Sequence, residues 1–240
     1  MAQHAAGASV PAPDRVGVVI VAAGESRRMG GVDKVMVPIL GSPLIVHSVS
    51  PFQVHPAIAE VVLVTSADKV GALRGLARGY GWDKVTCVCE GGRRRQDSVR
   101  LGLERLAPCK RVLVHDGARP CVDSGVIERA LEAVERTGAA IAAVPVKDTV
   151  KVVAADLTVQ STLKREELWA VQTPQAFDMR ILLEAHRRCQ QDVTDDAAMV
   201  ESIGGRVTVF MGSYENLKVT TPEDLPLVEA ILRRRMEKRD

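Results

Sequence analysis

The sequence predicts an α/β fold, a doubly wound and mostly parallel Rossmann-like sheet, on three observations. Residues 16–22 form a continuous apolar run of mostly β-branched side chains, the pattern of a strand covered on both faces. Similar runs at 61–65, 85–89, 112–115 and 140–146 alternate with segments of helical spacing at 44–52, 70–80, 99–106 and 126–134. That alternation implies right-handed βαβ crossovers. A loop of small residues follows the first run directly, at the carboxyl end of a strand, where open α/β sheets bind their ligands.

The alternation stops after Pro145. Runs at 149–153 and 159–163 read as a short hairpin with no helix behind it, so the segment from about 147 to 170 is expected to project as an arm or to find a partner. Helical spacing returns at 181–189 and 197–203. A last strand is expected at 207–211 and a closing helix over 222–235, with Pro222 suited to its first turn.

A chain of 240 residues, 46% hydrophobic and 26% charged, has enough apolar material for one sizeable core, and a single domain over 15–240 is expected. Ala, Gly, Ser and Pro dominate residues 1–14, which are expected to be a disordered leader. Lys plus Arg total 32 against 30 Asp plus Glu, and a formal charge of +2 gives no global field for nucleic acid or a membrane surface. Any anion site must be local. No apolar run reaches the roughly 20 residues that span a bilayer, and residues 1–14 lack a signal pattern, so a cytoplasmic location is expected. Cys87, Cys89, Cys109, Cys121 and Cys189 are scattered through apolar runs without zinc-ligand spacing and read as reduced thiols.

The chemistry starts in the loop Ala22-Ala23-Gly24-Glu25-Ser26-Arg27-Arg28-Met29-Gly30-Gly31 with Asp33-Lys34 after it. Small residues let backbone N–H groups approach a phosphate, and Arg28 and Lys34 supply the charge a triphosphate needs. Neither the P-loop pattern nor the dinucleotide fingerprint occurs in the chain.

This loop is similar to the signature loop of nucleotidyltransferases, and further segments narrow the resemblance. They are Gly91-Gly92-Arg93-Arg94-Arg95-Gln96-Asp97-Ser98-Val99, His115-Asp116-Gly117-Ala118-Arg119-Pro120, Val146-Lys147-Asp148-Thr149, Gln172-Thr173-Pro174-Gln175, Thr194-Asp195-Asp196-Ala197 and Asn216-Leu217-Lys218-Val219-Thr220. Together, over about 16–235, they resemble the 2-C-methyl-D-erythritol 4-phosphate cytidylyltransferases of the non-mevalonate isoprenoid pathway. The resemblance implies a nucleotidyltransferase fold and transfer of CMP from CTP to a polyol phosphate with release of pyrophosphate. It implies nucleotide contacts from Ala22, Ala23, Gly24, Gly91 and Ser98, and charge stabilisation by Arg28, Lys34 and Lys218. Arg119 and Arg165 would meet the acceptor phosphate, and Asp116, Thr149, Thr173 and Thr194 its hydroxyls. Arg165, beside the arm, would reach the neighbouring subunit's site, which makes a homodimer functional. Magnesium (Mg2+) would be held mainly through the CTP phosphates, since it keeps waters and needs no carboxylate cage. One departure stands in the first loop: Asp33 precedes Lys34 where proline is common in the family, and it would tether Lys34 or offer a metal-side carboxylate.

Three other readings are weaker. A metal-dependent glycosyltransferase on a similar sheet would carry D-x-D, which is absent. A ribitol 5-phosphate cytidylyltransferase shares most of these segments and differs in acceptor details. A non-catalytic nucleotide sensor would have lost one of the cations Arg28, Lys34 or Lys218, and all are present.

Overall fold

The structure is a computed structural model that describes residues 14–24 and 33–238. In chain order its elements are β1 (Val16–Val21), β2 (Pro38–Ile39), β3 (Ser42–Pro43), α1 (Leu44–Val54), β4 (Ile58–Thr65), α2 (Val70–Gly79), β5 (Val85–Glu90) and α3 (Arg95–Leu103). Then come β6 (Arg111–Asp116), α4 (Ser124–Thr137), β7 (Ala139–Pro145), β8 (Lys151–Val153), β9 (Val159–Thr162), β10 (Trp169–Asp178), α5 (Met179–Arg188), α6 (Asp196–Ser202), β11 (Thr208–Met211) and α7 (Asp224–Glu237). Among the described residues, the main sheet has seven strands in the order β11-β7-β10-β6-β1-β4-β5. Every pairing is parallel except those of β10, which runs antiparallel to both β6 and β7.

Alternation along the strands sends side chains to two cores, one on each face. Val18 and Ile20 of β1 join Phe52, Leu63, Leu113 and Ile127 under α1, α2 and α4. Val19 joins Val64, Val99, Val114, Phe177 and Leu182 under α3, α5 and α6. Burying one such side chain contributes on the order of 2 kcal/mol, which fixes the register, because a slip of one residue would exchange the two faces. A Cβ on Gly102 of α3 would lie 2.5 Å from Val19 Cγ1, so glycine lets this helix sit close on β1 and bring its N-terminus to the sheet's carboxyl edge.

At three places the fold departs from what the sequence predicts. The sequence predicts no strand over 169–178, yet β10 occupies the middle of the sheet. Pro174 argues against a central strand because it has no N–H for the ladder. The register shifts between Val171 and Gln175, so residues 172–174 bulge out of the pairing with β7 and the missing donor costs nothing there. Helix α3 begins at Arg95, ahead of the apolar spacing from 99, because Asp97 Oδ2 accepts the Arg94 N–H at 3.2 Å and starts the helix on polar residues. Helix α7 begins at Asp224, whose carboxylate accepts the N–H groups of Thr220 and Thr221 at 2.8 and 2.9 Å and holds Pro222 in the preceding turn.

Strands β8 and β9 form a separate two-stranded ribbon whose residues are all exposed. Its tip residue Leu157 is 83% exposed, and Val153, Val159 and Leu163 are also open. The expected leader lies outside the described residues except for Asp14, whose carboxylate pairs with Arg111 at 2.9 Å. Among the described residues no helix is long and apolar enough to cross a membrane. The five cysteines are free, and burial pushes the Cys121 thiol up to about 12.

Candidate active site

From β1 the chain builds outward to β4 and β5, then returns to place β6 on the other side of β1. The carboxyl ends of β1 and β6 are therefore the switch point of the sheet, with Val21 opposite Asp116. A cavity of about 530 Å³ opens there, walled by Val21 to Gly24 after β1, by Gly92 to Arg95 and Ser98 at the start of α3, and by Asp116, Lys218 and Thr220. The described lining residues include the cations Lys34, Arg93, Arg94, Arg95 and Lys218 and a single carboxylate, Asp116. The site is built for an anion.

The Gly-Gly turn sets its floor. A Cβ on Gly91 would stand 2.6 Å from Ser98 Oγ and 2.7 Å from Ala23 Cβ, so only glycine lets the end of β5 pass between the β1 loop and α3. The Ser98 hydroxyl accepts the Gly92 N–H at 3.1 Å and donates to the Arg94 carbonyl at 3.2 Å, which holds the turn against the helix.

Asp116 organises the cations. Its Oδ2 lies 2.7 Å from Lys218 Nζ and 3.9 Å from Arg119 Nε, and its Oδ1 accepts from Arg95 Nε at 3.2 Å. Burial would raise its pKa, but Arg95, Lys218 and Arg119 hold it well below the usual carboxylate range. Arg95 also donates through Nη1 to the fully buried carboxylate of Asp196 at 2.6 Å. Against the opposing effect of burial, the two carboxylates push the Arg95 pKa upward, so its charge is permanent. Behind them, Gln175 fastens α6: its Oε1 accepts from the N–H groups of Asp196 and Ala197, each at 3.2 Å, and its Nε2 donates to Asp195 at 2.8 Å.

These are the features of a nucleotide-and-phosphate site, and the comparison with known proteins says which. The family model IspD, 2-C-methyl-D-erythritol 4-phosphate cytidylyltransferase, matches residues 16–234. The chain belongs to that family. It is 47% identical over 221 residues to the 2-C-methyl-D-erythritol 4-phosphate cytidylyltransferase of Dehalococcoides mccartyi, covering 92% of this chain and 97% of that one. It is 43% identical over 219 residues to the enzyme of the same name from Bacillus licheniformis, covering 90% and 94%. Among solved structures, the 4-diphosphocytidyl-2C-methyl-D-erythritol synthase of Anaerococcus prevotii superposes with a TM-score of 0.80 at 28% identity, over 92% of this chain and 99% of that one. The Thermus thermophilus cytidylyltransferase superposes at 0.73 with 33% identity, over 90% and 98%.

Within this cytidylyltransferase fold the residues expected from sequence fall into four groups. Ala22, Ala23, Gly24, Lys34, Ser98, Asp116 and Lys218 line the cavity together, with Gly91 immediately beneath. Arg119 and Thr173 stand behind Asp116, both buried. The Arg119 guanidinium donates inward to the carbonyls of Asn216 and Val171, at 2.8 and 3.3 Å, and the Thr173 hydroxyl accepts the Asp116 N–H at 3.0 Å. Thr149, Thr194 and Arg165 are exposed and do not line the cavity of their own chain. Arg165 sits at the foot of the ribbon, where its Nη1 donates to the Lys147 carbonyl at 3.1 Å. Arg28 lies outside the described residues.

Asp33 immediately precedes the turn that carries Lys34. Its carboxylate pairs with Lys69 at 3.2 Å and accepts the Val35 N–H at 3.3 Å, so it fixes the start of the turn that carries Lys34. Sequence reasoning missed Arg93, Arg94, Arg95, Asp196 and Thr220. Three consecutive arginines after a Gly-Gly turn were a usable signal, since a solvated run has no reason to follow a phosphate-binding turn. The partnership of Arg95 with Asp196 was not readable, because the two meet only through the packing of α3 near α6.

Proposed function

We propose that the protein transfers the cytidylyl group of Mg·CTP to 2-C-methyl-D-erythritol 4-phosphate, releasing pyrophosphate, and does so as a homodimer in the cytoplasm. The observation that carries this reading is the set of cations around Asp116 at the switch point, in a chain of this family. In the reaction an oxygen of the acceptor phosphate attacks the α-phosphorus while the bond from that phosphorus to the β-phosphate bridging oxygen breaks, and pyrophosphate leaves with the electron pair. No covalent protein intermediate is needed, so positioning and charge supply the catalysis. Lys34 and Lys218, with Arg28 from the first loop, stabilise the charge that builds on the transferring group. Asp116 holds Lys218 in place through an ion pair of 2.7 Å. Ala22, Ala23 and Gly92, small residues on the cavity wall, would bring backbone groups close to the base and support a pocket that reads a pyrimidine by its edge. Magnesium would be held through the CTP phosphates and would add positive charge beside the leaving pyrophosphate.

The acceptor phosphate would be met by Arg165 of the opposite subunit, carried by the β8–β9 ribbon. Its open apolar residues and its lack of a covering helix support an exchange of such arms about a twofold axis. Pyrophosphate release, measured with CTP, ATP and GTP and with methylerythritol phosphate and ribitol 5-phosphate, tests the reading. The expected result is turnover that needs CTP and prefers methylerythritol phosphate; equal rates with all three nucleotides would contradict the pyrimidine pocket.

A further inference from the structure

His115 ends a run of apolar strand residues, one position before Asp116, and its side chain is completely buried with its ring tilted against Phe52 at 4.9 Å between centroids. An imidazole in such a place needs partners for both nitrogens. Nε2 lies 3.2 Å from the Arg119 carbonyl, which can only accept, so Nε2 carries the hydrogen. Burial lowers the His115 pKa to about 4, so the ring is neutral near pH 7 and Nδ1 is a bare acceptor. Thr173 Oγ1 lies 3.0 Å from Nδ1 and must donate to it, which turns a hydroxyl lone pair to the Asp116 N–H, also at 3.0 Å. The Arg119 carbonyl therefore sets every proton in the chain from Asp116 through Thr173 to His115.

We propose that His115 and Thr173 are positioning residues of the transfer reaction: their hydrogen-bond relay fixes the Asp116 backbone so that its carboxylate holds Lys218 and Arg95 at the cavity, and Thr173 acts through Asp116 rather than by touching the acceptor. The proposal rests on the function above. The geometry favours it because the Thr173 hydroxyl has spent both its hydrogen and a lone pair inside the protein. Asp116 is also the one carboxylate among the described lining residues, so a shift of its backbone would loosen Lys218 and Arg95 together.

Steady-state kinetics with each substrate varied, on Thr173→Val, Thr173→Ser, His115→Phe and the Thr173→Val/His115→Phe double variant, test the relay. Thr173→Val and His115→Phe should each lower kcat about tenfold or more, with the KM for CTP within about twofold. Thr173→Ser, which keeps the hydroxyl, should return to within about threefold of the parent. The double variant should lose no more than the worse single one, because the two residues act as one chain. A Thr173→Val variant that raises the acceptor KM alone, with losses that multiply in the double variant, would overturn the proposal in favour of direct acceptor binding. Imidazole nitrogen NMR reads the relay apart from turnover: the Nε2–H tautomer is expected at neutral pH, and an Nδ1–H tautomer would overturn the relay. A wild-type protein with the Nε2–H tautomer but no turnover of CTP and methylerythritol phosphate would overturn the reaction, and with it the catalytic half of the proposal.

Discussion

Lys218 Nζ lies 2.7 Å from Asp116 Oδ2, an ion pair that joins the segment after β11 to the carboxyl end of β6. The backbone repeats the connection nearby, where the Val219 N–H donates to the Ala118 carbonyl at 2.8 Å. Lys218 therefore enters the cavity from a fixed point, with its charge held by a carboxylate that three cations keep ionised.

Removing that cation or its counterpart across the cavity should affect the chemical step far more than folding. Lys34→Ala and Lys218→Ala are each expected to lower kcat by about 10² or more, as for donors aimed at developing charge. Thermal unfolding should change little for Lys34→Ala, because Lys34 lines the open cavity and not a core. Near-parental turnover would remove the residue from the reaction.

Gly91 is expected to be a binding determinant with no side chain. Gly91→Ala would push its Cβ against Ser98 Oγ and Ala23 Cβ, splay the nucleotide walls and raise the KM for CTP by about tenfold or more. Gly75→Ala on the exposed face of α2 meets nothing within 4 Å and is the control, stabilising by up to about 1 kcal/mol without changing kinetics.

Stability should fall with pH in the range where His115 titrates. Its folded pKa is lowered from 6.5 to about 4, so the unfolded chain takes up the proton first. Stability is then lost as pH drops from about 6.5 toward about 4, by up to about 3 kcal/mol, and this contribution is flat below that range. His55 and His186 are also lowered, chiefly by burial, and act with the same sign. Asp116 has the opposite charge logic: its depressed folded pKa contributes stability above the usual carboxylate range that is lost only under stronger acid. Denaturant unfolding of the parent and of His115→Phe across pH 4 to 7 should therefore converge at low pH; parallel curves would place the His115 pKa near its ordinary value.

The dimer and the site can be tested together. Arg165→Ala should raise the KM for the acceptor while leaving that for CTP nearly unchanged, since Arg165 lies away from the nucleotide walls of its own chain. After subunit exchange with Lys34→Ala, the heterodimer has one site with both residues intact, and activity should partly return. An exchanged mixture no more active than its parents would contradict delivery of Arg165 across the dimer.

The parallel strands and most helices were readable because each carries its burial in its own period. β1 reads as Val-Gly-Val-Val-Ile-Val because both its faces are covered. β10 was unreadable because its Pro174 speaks locally against a central strand, and only the bulge opposite β7 resolves the conflict. The site divides in the same way. Ala22 to Gly24 and Lys34 follow from the loop after β1, where small residues and cations have a direct meaning, whereas Ser98, inside α3, comes only from the family resemblance. Arg119 and Thr173 could be picked out as polar residues in motifs, but whether they face a ligand or the interior depends on partners distant in sequence, Asn216 for one and Asp116 for the other. The meeting of Arg95 with Asp196 belongs to packing alone.

The most direct test of cytidylyl transfer follows the α-phosphate itself. CTP labelled at the α-phosphorus and incubated with the protein, magnesium and methylerythritol phosphate should yield its label in a cytidine diphosphate ester of the acceptor and none in the released pyrophosphate. Label retained in CTP, or appearing only when the acceptor is ribitol 5-phosphate, would contradict the account.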